Sequence, residues 1–287
     1  MSRMARAFMR FPEGREKALT LSYDDGVEQD IELIEILDRH GIKATFNINS
    51  GGYAPEGKVY KKGEIHKRMS RSAVIDTYKN SPHEVAVHTV SHPWLETLPA
   101  AAVAREVIED RMALESDFGV TVRGMAYPFG TYNDTVVDVL KSAGIAYART
   151  VQSTEKFDIP TDWLRMPATC HHTSSKLMEL AQKFVEMPVK SAPKLFYLWG
   201  HSYEFERDDN WEVIEKFCEF MGGREDIWYA TNIEIYDYVR AYESLIWSAD
   251  MSIVTNSTAT PVCFKFSLHG EESSLVTLGA GETKKLY

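Results

Sequence analysis

Residues 18–40 read ALTLSYDDGVEQDIELIEILDRH, and the rest of the chain repeats their plan. The apolar run 18–23 is short and stops at Asp24-Asp25-Gly26, a loop signal. From Asp30 the pattern changes: Ile31, Ile34 and Leu37 recur at helical spacing up to His40. The segment is a strand, a loop and a helix.

The same unit recurs along the chain. A strand at 43–48 is followed by a loop with Gly51-Gly52 and a helix over about 64–79. A strand at 84–87 leads to a long helix over about 100–117, and 122–127 leads to a helix near 135–142. Strands at 145–149 and 164–168, a helix at 174–186, a strand at 194–199, a helix at 211–220, a strand at 227–230 and a helix at 233–247 complete seven or eight βα units. Open doubly wound sheets and closed barrels both use such units. No G-x-G-x-x-G follows the first strand, and the unit count suits a barrel. The expected fold class is α/β, a (β/α)7-8 barrel with distortion or one open seam allowed. After Trp247 short strands at 252–255, 262–268 and 275–278, with turns at His269-Gly270 and Gly279-Ala280-Gly281, give a small β-appendage. The expected division is therefore 1–247 for the barrel and 248–287 for the appendage.

With 287 residues and 44% hydrophobic content the chain can bury a large core, which excludes disorder as its dominant state. Its net charge of −10 provides no field for nucleic acid or an anionic membrane, so neither is an expected partner. Cys170, Cys218 and Cys263 lie far apart without a C-x-x-C spacing and read as reduced thiols. Residues 1–10 lack the apolar core of a secretory signal, which makes cytoplasmic the expected compartment.

The groups able to do chemistry fall just past strand ends: Asp24 and Asp25 after the first strand, His88 and His92 after the third, His201 after the seventh. In a parallel barrel that rim builds active sites. His88 and His92 are four residues apart and can share an ion if the segment turns as it leaves its strand. A His-His-carboxylate set leaves positions open on a divalent ion, which lowers the pKa of bound water from about 15.7 to about 7. One aspartate of the pair would ligate the ion and the other act as base.

Thr20-Leu21-Ser22-Tyr23-Asp24-Asp25-Gly26, His88-Thr89-Val90-Ser91-His92, Tyr127-Pro128-Phe129-Gly130 and Leu198-Trp199-Gly200-His201 resemble successive motifs of the polysaccharide deacetylase family. That family is also called carbohydrate esterase family four, or the NodB homology domain. The resemblance runs over about 18–201 and implies a role for each matching residue. Asp24 is the implied base; Asp25, His88 and His92 are the implied metal ligands; His201 is the implied acid for the leaving group. The Phe129 N–H is implied to hold the oxyanion, a task that a main-chain donor performs whatever its side chain. Tyr127, Pro128 and Trp199 are the expected substrate-binding positions, Trp199 as an apolar wall for the acetyl methyl. The implied cofactor is a divalent ion, zinc first, with cobalt, nickel or manganese as alternatives. The implied activity is a metal-dependent deacetylase or esterase releasing acetate from an N- or O-acetylated saccharide.

The chain also departs from the family pattern. The slot where many members carry an arginine that orients the base holds Ala126, and Arg123 lies further upstream. The Asp-x-x-Asp-Trp element is one residue longer here, ending in Asp162-Trp163, with Asp162 the expected partner of His201. Three features stay outside the expected site. His171 and His172 read as loop or binding residues more than ligands, because successive strand residues face opposite sides. Tyr197, Tyr203 and Phe205 could form a sugar-stacking platform but read more readily as core aromatics, and Glu204 and Glu206 could support His201 but read more readily as solvated carboxylates. Two other readings remain: a metal-assisted amidohydrolase for a small non-sugar amide, and a non-catalytic carbohydrate-binding protein. Self-association into a homo-oligomer is left open.

Overall fold

Parallel strands with both faces covered read as near-continuous apolar runs, and β1 (Lys17–Asp24) shows the effect, with every one of its residues buried. The computed structural model describes residues 5–268 and 272–287; the expected turn at His269-Gly270 lies outside them. After β1 follow β2 (Ala44–Ile48), β3 (Glu84–Val87), β4 (Gly124–Ala126) and β5 (Tyr147–Ser153). Next come β6, whose pieces Met166–Ala168 and Cys170–His171 flank Thr169, then β7 (Lys194–Gly200) and β8 (Ile227–Tyr229). The lateral order is β6-β5-β4-β3-β2-β1-β7-β6.

The first piece of β6 pairs with β5 and the second with β7. Between them the Thr169 N–H donates to the Tyr197 carbonyl at 2.8 Å. One continuous segment thus joins both flanks, and the sheet returns on itself as a barrel. Its distortion lies at β8, which pairs only with Lys17–Leu19 at the start of β1, while β2 pairs with Leu21–Asp24 at its end. The eighth strand is a wedge beneath β2.

The covering helices are α1 (Gln29–Arg39), α2 (Arg71–Tyr78), α3 (Ala100–Phe118), α4 (Asp134–Ser142), α5 (Leu177–Glu186), α6 (Glu212–Met221) and α7 (Asn232–Glu243). Two differ from expectation. Helix α2 starts late because the Ser70 side chain caps it, accepting from the Ala73 N–H. Helix α7 stops at Glu243, and Ile246–Trp247 turn into a strand against Ile253–Thr255.

The strand Ala5–Arg10 was not anticipated. It pairs antiparallel with Val262–Leu268, which pairs in turn with Ser274–Leu278. The β-appendage therefore draws its third strand from the opposite end of the chain. Met9, Phe264, Phe266 and Leu278 share a buried cluster with Tyr238 and Val239 of α7. Among the described residues no helix is long and apolar enough to cross a membrane, and Cys170, Cys218 and Cys263 are buried and unpaired with one another.

At the N-terminal end of the barrel, Glu84 accepts from the Thr45 hydroxyl (2.8 Å), the Tyr147 hydroxyl (2.8 Å) and the Ile233 N–H (2.9 Å). Burial nevertheless raises its pKa to about 7. From about pH 4.5 to 7 the folded chain retains this proton and the unfolded chain does not, so stability falls as pH rises through that window. Glu84→Gln keeps the two acceptor contacts on one oxygen, and the Tyr147 hydroxyl can turn to accept from the amide. The difference in melting temperature between pH 5 and pH 7.5 is expected to be smaller in this variant than in wild type; equal differences would contradict the protonated assignment.

Candidate active site

The rim where β1, β3, β4 and β7 end gathers the expected residues. Asp24 closes β1 and is only 3% exposed. Its Oδ1 accepts from the Asn47 amide at 2.8 Å, and its Oδ2 accepts from the Arg149 guanidinium. The same Oδ2 lies 3.8 Å from Nε2 of His88 and 3.8 Å from Nε2 of His201. Burial pushes this carboxyl up, but Arg149, helped by His88 and His201, outweighs burial and holds it below its ordinary value. Asp24 is therefore an ionised carboxylate facing two imidazoles.

Asp25 turns the other way because its backbone does. Its φ of 88° lies in the left-handed region, held by its N–H donating to the Asn47 carbonyl (2.9 Å) and its carbonyl accepting from Arg68 (2.7 Å). Arg68 Nη2 donates to Oδ1 at 2.9 Å, and His66 Nε2 lies 3.1 Å from Oδ2. These two partners offset burial and keep the group ionised, well below the ordinary range. Donor atoms of Asp25, His88 and His92 all lie within 4.8 Å of one another.

The His88 ring is oriented by its Nδ1, which donates to the Ala126 carbonyl at 2.8 Å and leaves Nε2 as a lone pair. Burial lowers its pKa, and burial lowers His92 to about 4, so both rings are neutral at pH 7. Two neutral imidazoles and one ionised carboxylate, with a lone pair fixed by an outer contact, are the donor set that suits a divalent transition ion. Thr89 (φ 68°), His92 (φ 56°) and Phe129 (φ 57°) join Asp25 in the left-handed region. Each such residue costs on the order of 1–3 kcal/mol, strain that the surrounding packing must over-determine.

The turn after β4 behaves differently from expectation. Tyr127 and Pro128 are buried, and the Tyr127 hydroxyl donates to the Leu164 carbonyl at 2.7 Å, so both side chains serve the core. What the turn presents to solvent is the Phe129 ring, 45% exposed, stacked on Trp94 at 3.9 Å and 7° and edge-on to His92 at 4.4 Å. Trp199 is buried, with the Arg149 guanidinium 4.4 Å over its ring.

His201 follows β7, with Nδ1 3.3 Å from Oε2 of Glu204. Burial alone would lower its pKa, but Glu204, Asp24 and Asp25 raise it above its ordinary value. Asp162, the expected partner of His201, instead caps Leu164 N–H at 3.2 Å and pairs with Arg165 at 2.8 Å. The physical reason is local: three residues on a short helical turn bring Glu204 back onto His201.

Sequence reading missed Arg149, Asn47, His66 and Arg68, and it left Glu204, a possible support for His201, outside the site. Arg149 carried a signal, a charge ending an apolar strand on the same rim, and Asn47 was a polar residue inside another such strand. His66 and Arg68 lie in a loop with no pattern to mark them.

Gly200 is required by close approach: a Cβ there would lie 2.0 Å from Nδ1 of the His172 ring. Gly200→Ala is expected to lose about 1–3 kcal/mol of stability through overpacking, read from denaturant melts; a melt matching wild type would show that the ring can move aside.

Residues 12–148 match the family model described as polysaccharide deacetylase. Among curated proteins the chain is similar to a chitin deacetylase of Pestalotiopsis sp., 29% identical over 125 residues that make up 43% of this chain and 38% of that protein. It is also similar to a chitooligosaccharide deacetylase of Sinorhizobium fredii, 30% identical over 129 residues, 44% of this chain and 53% of that one. The matches thus span from under two fifths to about half of these relatives' length. Among solved structures it is similar to a Mycobacterium smegmatis protein assigned to the polysaccharide deacetylases, with a TM-score of 0.59 at 16% identity, covering 84% of this chain and 96% of that one. At that identity the likeness is one of fold.

Proposed function

We propose that this protein, whose residues 12–148 match the polysaccharide deacetylase family model, is a metal-dependent deacetylase or esterase that removes N- or O-linked acetyl groups from a carbohydrate and releases acetate. The observation that carries this reading is the divergence of two adjacent carboxylates. Asp25 faces the two neutral imidazoles of His88 and His92, while Asp24 lies between Arg149 and His201.

Asp25, His88 and His92 would hold a divalent ion, zinc first and cobalt, nickel or manganese as alternatives, which when bound supplies Lewis-acid polarisation of the acetyl carbonyl and acidifies water. Asp24 accepts the proton of the attacking water, and Arg149 and Asn47 fix the orientation of its carboxylate through one bond on each oxygen. The Phe129 N–H, on a turn whose backbone is held at positive φ, donates to the oxyanion as the water oxygen bonds to the acetyl carbon. His201 carries a proton on Nε2 and is held from behind by Glu204. It gives that proton to the departing amine or alkoxide as the C–N or C–O bond breaks. Trp199, immobilised beneath Arg149, closes the apolar side of the site.

The test is acetate release from chitooligosaccharides, acetylxylan and acetylated monosaccharides, alongside a panel of small non-sugar amides, with and without chelator. Release from at least one acetylated saccharide is expected, lost on chelation and regained with added zinc. Turnover confined to the small amides would favour an amidohydrolase, and saccharide binding without acetate release would favour a binding protein.

A further inference from the structure

Three imidazoles outside the Asp25 set converge on a single oxygen. Oε2 of Glu204 lies 3.2 Å from Nε2 of His171, 3.2 Å from Nε2 of His172 and 3.3 Å from Nδ1 of His201. Strand alternation had suggested that His171 and His172 diverge. Strand β6 ends at His171, however, so His172 lies past the pleat and can turn to the same side. Donor atoms of His171, His201 and Glu204 fall within 4.8 Å of one another.

Hydrogen bonding does not satisfy this cluster. One carboxylate oxygen offers about two lone pairs, which cannot receive three donors in good geometry. His172 is the group left over: it is 2% exposed, and neither ring nitrogen has a hydrogen-bond partner among the described residues. Phe205 lies against it at 4.2 Å and Tyr23 stacks on it at 5.8 Å and 22°, with the buried Tyr23 hydroxyl making no hydrogen bond to it. The absence of a Cβ at Gly200 makes room for this ring. A buried imidazole kept in place with no partner is costly and calls for one.

A divalent transition ion is a partner of the right kind. Ligand atoms about 2.0–2.1 Å from a tetrahedral zinc lie roughly 3.3–3.4 Å apart. Each nitrogen has that spacing from Glu204. His171, His201 and Glu204 need a modest contraction from within 4.8 Å of one another, and His172, outside that set, must turn toward the ion to join it. Imidazole-rich sets with one carboxylate favour zinc, cobalt or copper over calcium or magnesium. The opposing charge is Arg207, 3.4 Å from the other oxygen of Glu204 and itself paired with Asp208 at 2.8 Å.

We propose that His171, His172, His201 and Glu204 form a second transition-metal site, separate from Asp25, His88 and His92. Occupancy takes Nδ1 of His201 and replaces its bond to Glu204. A ring ligated at Nδ1 no longer forms the imidazolium that donates from Nε2, so filling this site silences the acid. The binding claim is independent of the deacetylase reading, and the inhibition claim rests on it.

The test titrates chelator-stripped protein with Co²⁺ and Zn²⁺, reading bound metal by dialysis with elemental analysis and the Co²⁺ ligand-field bands. Wild type is expected to bind two ions. The Asp25→Asn/His92→Ala variant is expected to keep one with tetrahedral bands, and adding His171→Ala to weaken that ion at least tenfold. His171 is part-exposed, so its truncation is tolerable to the fold, and His172→Gln is a second probe with the same expected loss. If the double variant binds no ion, or if its ion is indifferent to both His171→Ala and His172→Gln, the site is overturned. In wild type, acetate release is expected to rise and then fall as Zn²⁺ passes one equivalent, with the fall shifted to higher Zn²⁺ by His171→Ala. Two bound ions without acetate release from any substrate would overturn the deacetylase reading and leave the site standing.

Discussion

Asp24→Asn is expected to reduce kcat for acetate release about 10²–10⁴-fold with zinc restored, and to leave KM within a few-fold of wild type. The substitution keeps the shape of the side chain, and its remaining oxygen can still accept from Arg149. What it removes is the ability to take a proton from water. The metal stoichiometry of the Asp25, His88 and His92 set is expected to stay unchanged, because Asp24 lies outside that set of mutually close donors and is paired with Arg149. That combination separates a lost base from a lost ligand. Turnover within twofold of wild type would refute the assignment of Asp24, and a loss of bound metal would move Asp24 into the ligand set.

Arg149→Met is expected to have the largest effect on stability. Arg149 is 1% exposed and donates to a carboxylate that is 3% exposed. Removing one partner of such a pair leaves an uncompensated buried charge and typically costs about 3–5 kcal/mol. The folded protein can relieve this only by protonating Asp24, so the carboxyl moves up from its depressed position. With the ionised form as the proposed base, the acid limb of kcat/KM is expected to shift to higher pH, with the activity loss greatest at low pH and smaller as pH rises. A purely structural arginine would lower the melt without moving that limb. The double variant Arg149→Met/Asp24→Asn holds neither charge and is expected to recover part of the lost stability. A single variant that melts like wild type with an unmoved pH profile would show that Arg149 does not position the base.

Strand-end placement made Asp24, Asp25, His88, His92 and His201 legible, because an apolar run that stops at polar residues identifies both the strand and the rim it points to. The barrel strands were legible for the same reason. The supporting residues were less so. Arg149 supplies from the neighbouring strand the charge that Ala126 cannot, and lateral neighbours in a parallel sheet are far apart in sequence. His66 and Arg68 reach Asp25 from a loop 41 and 43 residues away, with no periodicity to announce them. Glu204 reads in sequence as a possible support for His201 but more readily as solvated, because charged residues usually are; one helical turn folds it onto His201. Tyr127 was assigned to substrate from its motif position, but the direction of its ring is set by the Leu164 carbonyl, a tertiary contact. The strand at Ala5–Arg10 escaped notice because its partner lies 263 residues away at the pair Ala5 with Leu268 and 253 away at the pair Arg10 with Cys263.

That pairing has a topological consequence. Ala5–Arg10 finds its bonding edge only after about 250 further residues have been made, so this seam closes late in folding. Loop-closure entropy for so distant a contact is met before any reward arrives. Once joined, Ala5–Arg10 and Val262–Leu268 act as a clasp over α7, and a pull along either strand is borne in shear by the ladder between them before it reaches the barrel.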